Sequence, residues 1–401
     1  MIPPPQVDKE RSPVALVACP TYGQDRCMDA VREGVSLLGG LSAFLLPGMR
    51  VVVKPNLLSA ASPDRAVCTH PDVLYAVCRL ITEFGCSVTV ADSPGVGAPY
   101  RPEILERVYD TAGYTAWAND LGVILNLDTG SVPVRNPSGH LIHSFSLIRP
   151  VVEADAVVVV SKAKTHTLTT LTAATKNIFG TVPGREKTLF HARFPDPFMF
   201  AALLLDLNRC VNPCLQVVDA VEVMEGDGPM GGDPAHLGAV IVGADPTAVD
   251  VVVARLMGID PHAVPTISVA VAQGLIDAGL TRAEVLGADL ASLARYDIRL
   301  AKTHWSLSYA RPGSALCWLF KRIGGGLSPH PVFAKQTCTR CGRCVRSCPA
   351  GAIKLGPDGI SFKKSRCIRC YCCHEMCESR AIQLKDGLLR LMIRYFTLKS
   401  N

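Results

Sequence analysis

The spacing of eight cysteines in the last quarter of this 401-residue chain limits its possible folds more than any other feature. The segment CTRCGRCVRSCPAGAI starts at residue 338, and CIRCYCCHEMCESRAI repeats its rhythm from residue 367. Each segment contains the pattern C-x2-C-x2-C-x3-C and runs into a short apolar stretch, GAIKL or RAIQL. This repeat predicts a small domain of two similar halves, each a cysteine-bearing loop followed by a strand.

The two cysteine runs have the spacing that bacterial ferredoxins use to bind [4Fe–4S] clusters, in which the fourth cysteine of each run ligates the cluster of the other run. Carried over by position, this arrangement predicts two clusters. Their ligand sets are Cys338, Cys341, Cys344 and Cys377 for cluster I, and Cys367, Cys370, Cys373 and Cys348 for cluster II. Zinc is the alternative, because zinc sites also use C-x2-C pairs, but two matched quartets with an x3 spacing fit zinc poorly.

The second run departs from the ferredoxin pattern at two positions. Glu378 stands where the pattern has proline, so we expect altered local geometry and an intact cluster. Cys372 lies beside Cys373 and outside the spacing. We expect Cys372 to be a free thiol, although it could replace its neighbour as a ligand.

Charge is distributed unevenly between the cysteine-rich region and the rest of the chain. From residue 335 onward there are 14 Lys and Arg against 4 Asp and Glu, within a net charge of +6 for the whole chain. Basic residues between the ligands would offset the negative charge of thiolate-bound clusters, which explains this excess better than nucleic-acid binding does. No apolar run is long enough to predict a transmembrane segment, and no secretory signal is visible. We therefore expect a cytoplasmic protein whose 17 cysteines are thiols and metal ligands.

Residues 14–300 alternate between apolar, β-branched runs and helical stretches. The runs, each interpreted as a strand, are VALVAC, MRVVVKPN, CSVTVADSP, ADAVVVVSKAK, LQVVDAV and GAVIVGADP. HPDVLYAVCRLITEFG and DPFMFAALLLDLNRCV are interpreted as helices, with Thr69 and Asp72 as a capping box before the first. Continuous apolar strands with helices between them predict an α/β fold, with a parallel sheet covered by helices on both faces.

The expected domain organisation has four parts. It consists of an α/β domain at 1–321, a hinge at 322–334, a small α+β two-cluster ferredoxin domain at 335–388 and a basic amphipathic tail at 389–401. The segment RIGGGLSPHP suggests the hinge because it is rich in glycine and proline. Since the strands and helices before the hinge supply their own core, we expect residues 1–325 to fold alone and to keep substrate binding.

The polar residues that follow the predicted strands are the candidates for a site. In open parallel sheets, ligands bind beyond the carboxyl ends of the strands. The segment SKAKTHTLTTLTAATKNIFG at 161–180 follows such a strand and holds Lys164 and His166, which we expect to give a proton. The residues expected to orient an anionic group are Lys54, Asn56, Lys176 and Asn177. A solvated loop with hydroxyl caps is the alternative interpretation of the segment.

Other strand ends and motifs narrow the choice of ligands. Asp92 and Ser93 follow a further predicted strand, and the glycine-rich loop MEGDGPMGGDP could bind a metal or a cationic group through Glu225, Asp227 and Asp233. A solvated turn explains that loop equally well. The sequence has no G-x-G-x-x-G after a strand and no G-x-x-x-x-G-K-[ST], which disfavours nicotinamide and ATP as obligate partners.

Residues of about 14–380 resemble a known family, the domain-of-unknown-function 362 proteins (DUF362) that carry a C-terminal two-cluster ferredoxin domain. The segments that carry the resemblance are VVVKPNLL, THPDVLYAV, VADSPG, SKAKTHTLTTLTAATKNIFG, DAVEVMEGDGP and VGADPTAVD. The resemblance implies an iron–sulfur protein, often described as a ferredoxin or reductase. It implies no catalytic residues, because the family has no assigned activity.

Two functions follow from these expectations. The first is a reductase, in which the ferredoxin domain accepts electrons from a donor protein such as a soluble ferredoxin or a flavoprotein and passes them to a small, anionic, unsaturated or carbonyl substrate. The second is a non-catalytic electron carrier that docks on a partner protein, with LLRLMIRYFTLK as a docking helix at a partner or a membrane surface. Neither function involves nucleic acid or a transmembrane segment.

Overall fold

The computed structural model of the chain describes residues 11–96, 98–301, 329–357 and 359–385. Most of the expected hinge at 322–334 and all of the expected tail at 389–401 lie outside the described residues. Within the described ranges the chain forms an α/β domain followed by a small α+β domain that contains the cysteine runs. This agrees with the predicted fold class.

The strands of the α/β domain are short to medium in length and mostly apolar. They are β1 (Ser12–Ala18), β2 (Arg50–Pro55), β3 (Ser87–Val90), β4 (Ile124–Leu125), β5 (Ser131–Arg135), β6 (Ser144–Ile148), β7 (Ala156–His166), β8 (Thr170–Thr172), β9 (Leu215–Asp227), β10 (Gly231–Gly243) and β11 (Ala283–Gly287). All six runs interpreted as strands in the sequence are strands in the structure.

The helices of this domain lie between the strands. They are α1 (Gln24–Leu37), α2 (Pro71–Glu83), α3 (Pro102–Thr111), α4 (Thr115–Ala118), α5 (Arg149–Glu153), α6 (Ala174–Asn177), α7 (Gly184–Arg193), α8 (Pro197–Val211), α9 (Pro246–Leu256), α10 (Pro265–Ala272) and α11 (Leu290–Leu293). In the described part of the chain, no helix is both long enough and apolar enough to cross a membrane.

The main sheet is mixed, with most of its strands parallel. Among the described residues its order is β11-β1-β10-β9-β7-β2-β3-β4, and β8 pairs with β7 outside this path. Strands β9, β7, β2, β3 and β4 run parallel to one another, whereas β10 runs antiparallel to both β1 and β9. The sequence analysis missed this reversal because it interpreted the glycine-rich residues 225–233 as a loop, whereas they include the ends of both strands and a hairpin turn of only three residues.

Both faces of the sheet are buried, as the continuous apolar strands predict. Val51 and Val53 of β2 belong to one hydrophobic core, while Val52 between them belongs to a second core on the opposite face. Successive side chains of a strand point to opposite faces, so a strand that is buried on both sides must be apolar at every position. Helices α1 and α2 cover the first face, and α8 and α9 lie on the other.

Helix α2 begins differently from the predicted capping box. Its N-cap is His70, whose Nδ1 accepts a hydrogen bond from the Asp72 backbone N–H at 3.2 Å. Thr69 instead donates its hydroxyl to the Val160 carbonyl at 2.7 Å and accepts the Asn56 backbone N–H at 2.9 Å. The capping-box prediction was therefore wrong, because Thr69 links the end of β2 to β7.

The cysteine-rich domain is built from two similar halves. Its elements are β12 (His330–Phe333), α12 (Arg343–Arg346), β13 (Ile353–Gly356), β14 (Gly359–Phe362), α13 (Cys372–Glu375) and β15 (Ile382–Lys385). Strand β12 pairs antiparallel with β15, and β13 pairs antiparallel with β14. The two apolar stretches that follow the cysteine runs are thus β13 and β15, as the repeat predicts.

The cysteine-rich domain packs directly against the α/β domain. Arg380 donates to the Gly232 carbonyl at 3.0 Å and forms an ion pair with Asp233 in the β9–β10 hairpin. Glu378 accepts from Arg65 of the α/β domain at 3.3 Å. Met376 is buried in the core that contains α1 and α2. The two domains therefore share a wall, which the sequence repeat did not indicate.

Candidate functional site

The predicted site residues come together at the carboxyl ends of β2, β3 and β7. All of them except Lys164 line one small cavity of about 60 Å³, which we call the inner cavity. Its polar lining residues are Lys54, Asn56, Asp92, Ser93, His166, Thr172, Lys176, Asn177, Lys187, His191 and Glu375. The rule that ligands bind beyond the carboxyl ends of parallel strands accounts for this convergence.

An ion pair and two amides form the floor of the inner cavity. The Lys54 ammonium lies 2.9 Å from Asp92 Oδ1 and donates to Asn177 Oδ1 at 3.2 Å. Asn56 Nδ2 donates to the same Asn177 oxygen at 3.2 Å, and Asp92 Oδ2 accepts the Leu57 backbone N–H at 2.8 Å. Burial lowers the pKa of Lys54 and raises that of Asp92, and their mutual attraction opposes both shifts. The network ties the ends of β2 and β3 to Asn177 of α6.

Lys164 lies behind the cavity wall instead of lining it. Its ammonium donates to Asn56 Oδ1 at 2.8 Å and to the Val67 carbonyl. Burial lowers the pKa of Lys164 to about 7. The structure therefore places this lysine where it orients the Asn56 amide.

His166 presents a hydrogen-bond donor to the inner cavity. Its Nδ1 accepts the backbone N–H groups of Leu168 at 3.0 Å and Thr169 at 3.3 Å, so the ring hydrogen is assigned to Nε2. Burial drives the pKa of His166 well below its ordinary value, so the ring is neutral. Nε2 lies 3.8 Å from Glu375 Oε1, too far for a hydrogen bond.

Several buried polar atoms around the inner cavity have no hydrogen-bond partner within the described ranges. They are His166 Nε2, Thr172 Oγ1, His191 Nδ1 and Glu375 Oε1. Burying such groups without partners costs free energy, so native proteins satisfy them with ordered water or a ligand. The inner cavity is therefore built to hold a polar group.

The charge of the inner cavity favours an anion. Lys187 donates to the Ser93 carbonyl at 2.6 Å and to the Ser93 hydroxyl at 2.9 Å, and burial lowers its pKa to about 7. Burial also lowers the pKa of Lys176, and the negative charge of the Glu375 carboxylate counteracts part of this shift. Burial lowers the pKa of His191 to about 3, so this ring adds no charge. In their protonated forms the lining lysines outnumber the two carboxylates.

Sequence reasoning missed the part of the site that comes from α7 and from the cysteine-rich domain. Lys187 and His191 stand one turn apart on α7, directly after the segment at 161–180. That i, i+4 pairing was the available signal, since such residues share a helix face. For Glu375, the signal was an acidic residue between two predicted cluster ligands in a basic domain.

The acidic loop at 225–233 binds cationic groups of this same chain. Arg299 pairs with Glu225 at 2.7 Å and with Asp233 at 2.9 Å, and Arg380 pairs with Asp233 as well. No three His, Cys, Asp or Glu side chains in the described ranges converge tightly enough to hold a single metal ion. The loop thus serves as a docking point for Arg380 of the cysteine-rich domain.

The four cysteines predicted to bind cluster I surround a common space. Cys338, Cys341, Cys344 and Cys377 line a cavity of about 270 Å³, together with apolar residues such as Phe333 and Ile382. Cys377 comes from the second run, so this cavity brings together cysteines of both runs. Sulfurs spread around a cavity suit a multi-atom cluster, whereas zinc needs four sulfurs at about 2.3 Å from one point.

The four cysteines predicted to bind cluster II are also neighbours. Burial raises the pKa of Cys367, and the nearby Cys370 and Cys348 add to that shift. Burial raises the pKa of Cys373 as well, with contributions from the same three cysteines. The Cys348 sulfur accepts the Ala352 backbone N–H at 3.2 Å, a contact that suits a ligating thiolate. The residues present therefore fit a cluster at each quartet.

Cys372 faces the α/β domain. It is fully buried and packs with Cys370 and with Val96 of the α/β domain. Its hydrogen bond to Cys370 and its burial raise its pKa well above the ordinary range. These contacts fit the expectation of a protonated thiol.

Fold and site together define an α/β protein with an attached iron–sulfur domain of the 4Fe–4S type. The family model of the 4Fe–4S dicluster domain matches residues 330–378. The family model of the domain of unknown function DUF362 matches residues 51–255. The chain belongs to the DUF362 family, as the sequence resemblance indicated.

A named relative supports the family assignment. Thylakoid-associated protein sll1697 of Synechocystis sp. is 31% identical over 257 residues, which make up 64% of this chain and 77% of the relative. Its name states an association with thylakoids and no activity.

The solved structures that resemble this chain do so loosely. Lactate racemase apoprotein from Thermoanaerobacterium thermosaccharolyticum aligns at 12% identity with a TM-score of 0.38, over 59% of this chain and 55% of that one. A Thermotoga maritima protein aligns at 15% identity with a TM-score of 0.34, over 57% of each chain. The chain thus spans little more than half the length of either.

Proposed function

We propose that the cysteine-rich domain holds two [4Fe–4S] clusters with the crossed ligand sets. Cluster I takes Cys338, Cys341, Cys344 and Cys377, and cluster II takes Cys367, Cys370, Cys373 and Cys348. The shared cavity of the first quartet supports this assignment, as does the electrostatic influence of Cys348 on the pKa of Cys367 and of Cys373. Anaerobically prepared protein should contain about eight iron and eight sulfide per chain. Stoichiometric zinc without sulfide would contradict it.

Cysteine variants test the crossed ligation. Cys348→Ala should disrupt the cluster held mainly by the second run, and Cys377→Ala should disrupt the one held by the first. The matched control is Cys372→Ala, which removes a neighbouring buried thiol and should leave iron content and the electron paramagnetic resonance spectrum unchanged. A lost cluster in the Cys372 variant together with normal iron in a Cys373→Ala variant would mean that Cys372 is the ligand.

We further propose that the protein is an oxidoreductase that reduces a small anionic substrate with a C=C or C=O group in the inner cavity. The observation that carries this proposal is the position of the cavity. Glu375 and Met376, which form part of its wall, lie between the cluster II ligand Cys373 and the cluster I ligand Cys377. A substrate in the cavity would therefore lie against the segment that holds the electron source.

Reduction of such a group takes two electrons and two protons. Clusters in the two quartets would supply the electrons one at a time. His166 would donate a hydrogen bond from Nε2–H to the substrate oxygen, where negative charge develops, and would keep its proton. Lys187, with a pKa of about 7, is matched to proton delivery through the Ser93 hydroxyl at 2.9 Å, and solvent would supply the second proton.

The remaining lysines would bind the substrate or position the groups that bind it. Lys176 and Lys54 would hold the anionic part of the substrate, while Asn56 and Asn177 would orient it. These roles follow the expectation for residues beyond the carboxyl ends of parallel strands. Lys164 would act as a positioning residue, because it touches Asn56 and lies outside the cavity wall. This division differs from the expectation that Lys164 gives a proton.

An electron-donor protein, such as a soluble ferredoxin or a flavoprotein, would deliver electrons at cluster I. Cys341 is exposed, and Lys335, Arg340 and Arg346 are exposed nearby. This basic surface suits an acidic donor, since complementary charge speeds association. We place the protein in the cytoplasm, where a reducing environment keeps ligand thiols available.

The same surface favours a second function, that of an electron carrier whose α/β domain only docks on a partner. Dithionite-reduced protein separates the two. The enzyme proposal predicts that members of a panel of 2-enoic and 2-oxo acids reoxidise the clusters. The carrier proposal predicts that none of the acids does so, and that an acceptor protein reoxidises the clusters instead.

A further inference from the structure

A second cavity adjoins the inner cavity at the junction of the two domains. This outer cavity has a volume of about 150 Å³ and shares Leu58, Val96 and Met376 with the inner one. Its remaining walls come from the loop after β3, from α3 and from α12. These three side chains therefore lie between a narrow polar cavity and a wider, more apolar one.

The inner cavity is too small to contain an organic acid of more than a few heavy atoms. Its volume of about 60 Å³ equals the space of roughly four to six ordered waters, at about 10–15 Å³ each. That space admits a carboxylate or carbonyl group and the atoms next to it. The rest of a longer substrate whose reacting end lies beside His166 would extend past Val96 and Met376 into the adjoining outer cavity.

The outer cavity combines apolar walls with positive charge. Its apolar lining includes Leu58, Ala60, Pro94, Val96, Ile104 and Val108. Arg107, Arg343 and Arg346 also line it, whereas no Asp or Glu among the described residues does.

Among the described residues neither Arg107 nor Arg346 forms an ion pair, although Glu103, Glu106 and Asp110 line a neighbouring surface cavity together with Arg107. Arg343 is paired with Glu378, and Glu378 is shared with Arg65. Arg346 donates one hydrogen bond to the Cys341 carbonyl at 3.3 Å, which leaves its charge uncompensated.

A buried hydroxyl gives independent support for a ligand in the outer cavity. Ser59 is 8% exposed, and its Oγ has no hydrogen-bond partner within the described ranges. The wall of the cavity thus contains an unsatisfied polar group as well as uncompensated cations. Both features are expected where a polar atom of a ligand comes to lie.

We propose that the outer cavity binds the body of the substrate, and that the substrate is an elongated amphipathic acid with a second anionic group at its far end. This inference rests on the proposed function of the inner cavity. The reacting end lies beside His166 and Lys176, the apolar middle lies against Val96 and Ile104, and the far anion meets Arg107. The substrate class is therefore an α,ω-dicarboxylic acid or an acid with an equivalent second charge.

Equilibrium binding tests this proposal without any electron transfer. Isothermal titration calorimetry of the oxidised full-length protein uses acetate, octanoate and octanedioate as probes. Octanoate should bind more tightly than acetate, because its chain fills the outer cavity. Octanedioate should bind about tenfold more tightly than octanoate, since a charge-assisted hydrogen bond to arginine contributes about that much.

Two variants and a matched control locate the effect. Arg107→Ala should lower the affinity for octanedioate to that for octanoate and leave the affinity for octanoate unchanged. Ala98→Phe, which fills the outer cavity, should weaken octanoate and leave acetate unchanged. Arg101→Ala removes the same charge from the start of α3, outside both cavities, and should leave all three affinities unchanged.

The outcomes separate this proposal from the proposed reductase activity. Equal affinities of octanoate and octanedioate, or a preference that persists in Arg107→Ala, would overturn the outer-cavity proposal even if unsaturated acids reoxidise the clusters. An Arg107-dependent preference for octanedioate would support it even if neither 2-octenoate nor 2-octenedioate reoxidises the reduced protein. Failure of every 2-enoic and 2-oxo acid of the panel to reoxidise the clusters would instead overturn the reductase.

Discussion

Gly180 passes so close to the Lys54–Asp92 ion pair that a side chain at this position has no room. A Cβ atom there would lie 1.8 Å from Asp92 Oδ1 and 2.7 Å from Lys54 Nζ. The Gly180 carbonyl also accepts the Ser93 backbone N–H at 2.9 Å, so the backbone cannot simply move away. Glycine here allows two strand ends and the end of the segment at 161–180 to meet.

We expect Gly180→Ala to displace the ion pair and to weaken both the fold and anion binding. Overpacking of this kind typically costs about 1–3 kcal/mol. Thermal unfolding should show a lower midpoint, and calorimetry with octanoate should show a lower affinity. Gly356→Ala is the control, because the atom nearest to its Cβ would be 3.9 Å away. Equal midpoints in the two variants would contradict the tight contact.

Helix α6 carries Lys176 and Asn177 into the site, and a buried carboxyl group holds its first turn. Asp250 Oδ1 of α9 accepts the Thr175 backbone N–H at 3.3 Å, and Asn208 of α8 donates to the Thr175 carbonyl at 2.9 Å. Burial raises the pKa of Asp250 to about 7. A group whose pKa is higher in the folded state binds more protons in that state than in the unfolded state. The free energy of unfolding therefore falls as pH rises from the group's pKa in the unfolded state to its pKa in the folded state.

Asp250→Asn should therefore remove part of the pH dependence of stability. In the wild type this residue makes the protein less stable as pH rises from about 4 to about 7. Asparagine cannot ionise and still accepts a hydrogen bond from Thr175, so the fall in thermal midpoint between pH 5 and pH 8 should shrink. Asp260→Asn, an exposed capping aspartate, is the control. An unchanged pH dependence in Asp250→Asn would mean that Asp250 is ionised in the fold.

At the scale of elements, periodicity and the strand-end rule predicted much of what the structure contains. Lys54, Asn56 and His166 were found because each follows a continuous apolar strand, and the carboxyl ends of parallel strands meet at one edge. Lys187 was missed because its helix α7 is weakly apolar, so only its i, i+4 pairing with His191 indicated a shared face. The reversal of β10 was missed because the glycine-rich residues 225–233 were interpreted as a loop, although most of them belong to β9 and β10.

At the scale of the whole molecule, the cysteine-rich domain completes the site. The sequence suggested two separable parts, with residues 1–325 sufficient to bind substrate. The structure instead places Glu375 and Met376 in the wall of the inner cavity, and Met376 with Arg343 in the wall of the outer one. This contribution was hidden in the sequence, because it depends on how the two domains dock.

Residues 1–325 should fold but bind poorly. The cores of the α/β domain are formed by its own residues apart from Met376, so thermal unfolding of the fragment should remain cooperative. Loss of the buried Met376 wall should weaken octanoate binding at least about tenfold relative to the full chain. Calorimetry on both proteins makes the comparison. Equal affinities would restore the view that the domains are independent.

The measurement that tests the central claim most directly is anaerobic reoxidation of the prereduced full chain by 2-enoic and 2-oxo acids. The absorbance of the clusters reports the extent and rate of reoxidation. At least one acid should restore the oxidised spectrum of the wild type. His166→Ala should keep full iron and sulfide and slow reoxidation by about 10²–10³-fold, the usual effect of losing one donor to a developing oxyanion. Arg101→Ala should match the wild type. Wild-type rates in His166→Ala, or no reoxidation by any acid, would contradict a reductase site in the inner cavity.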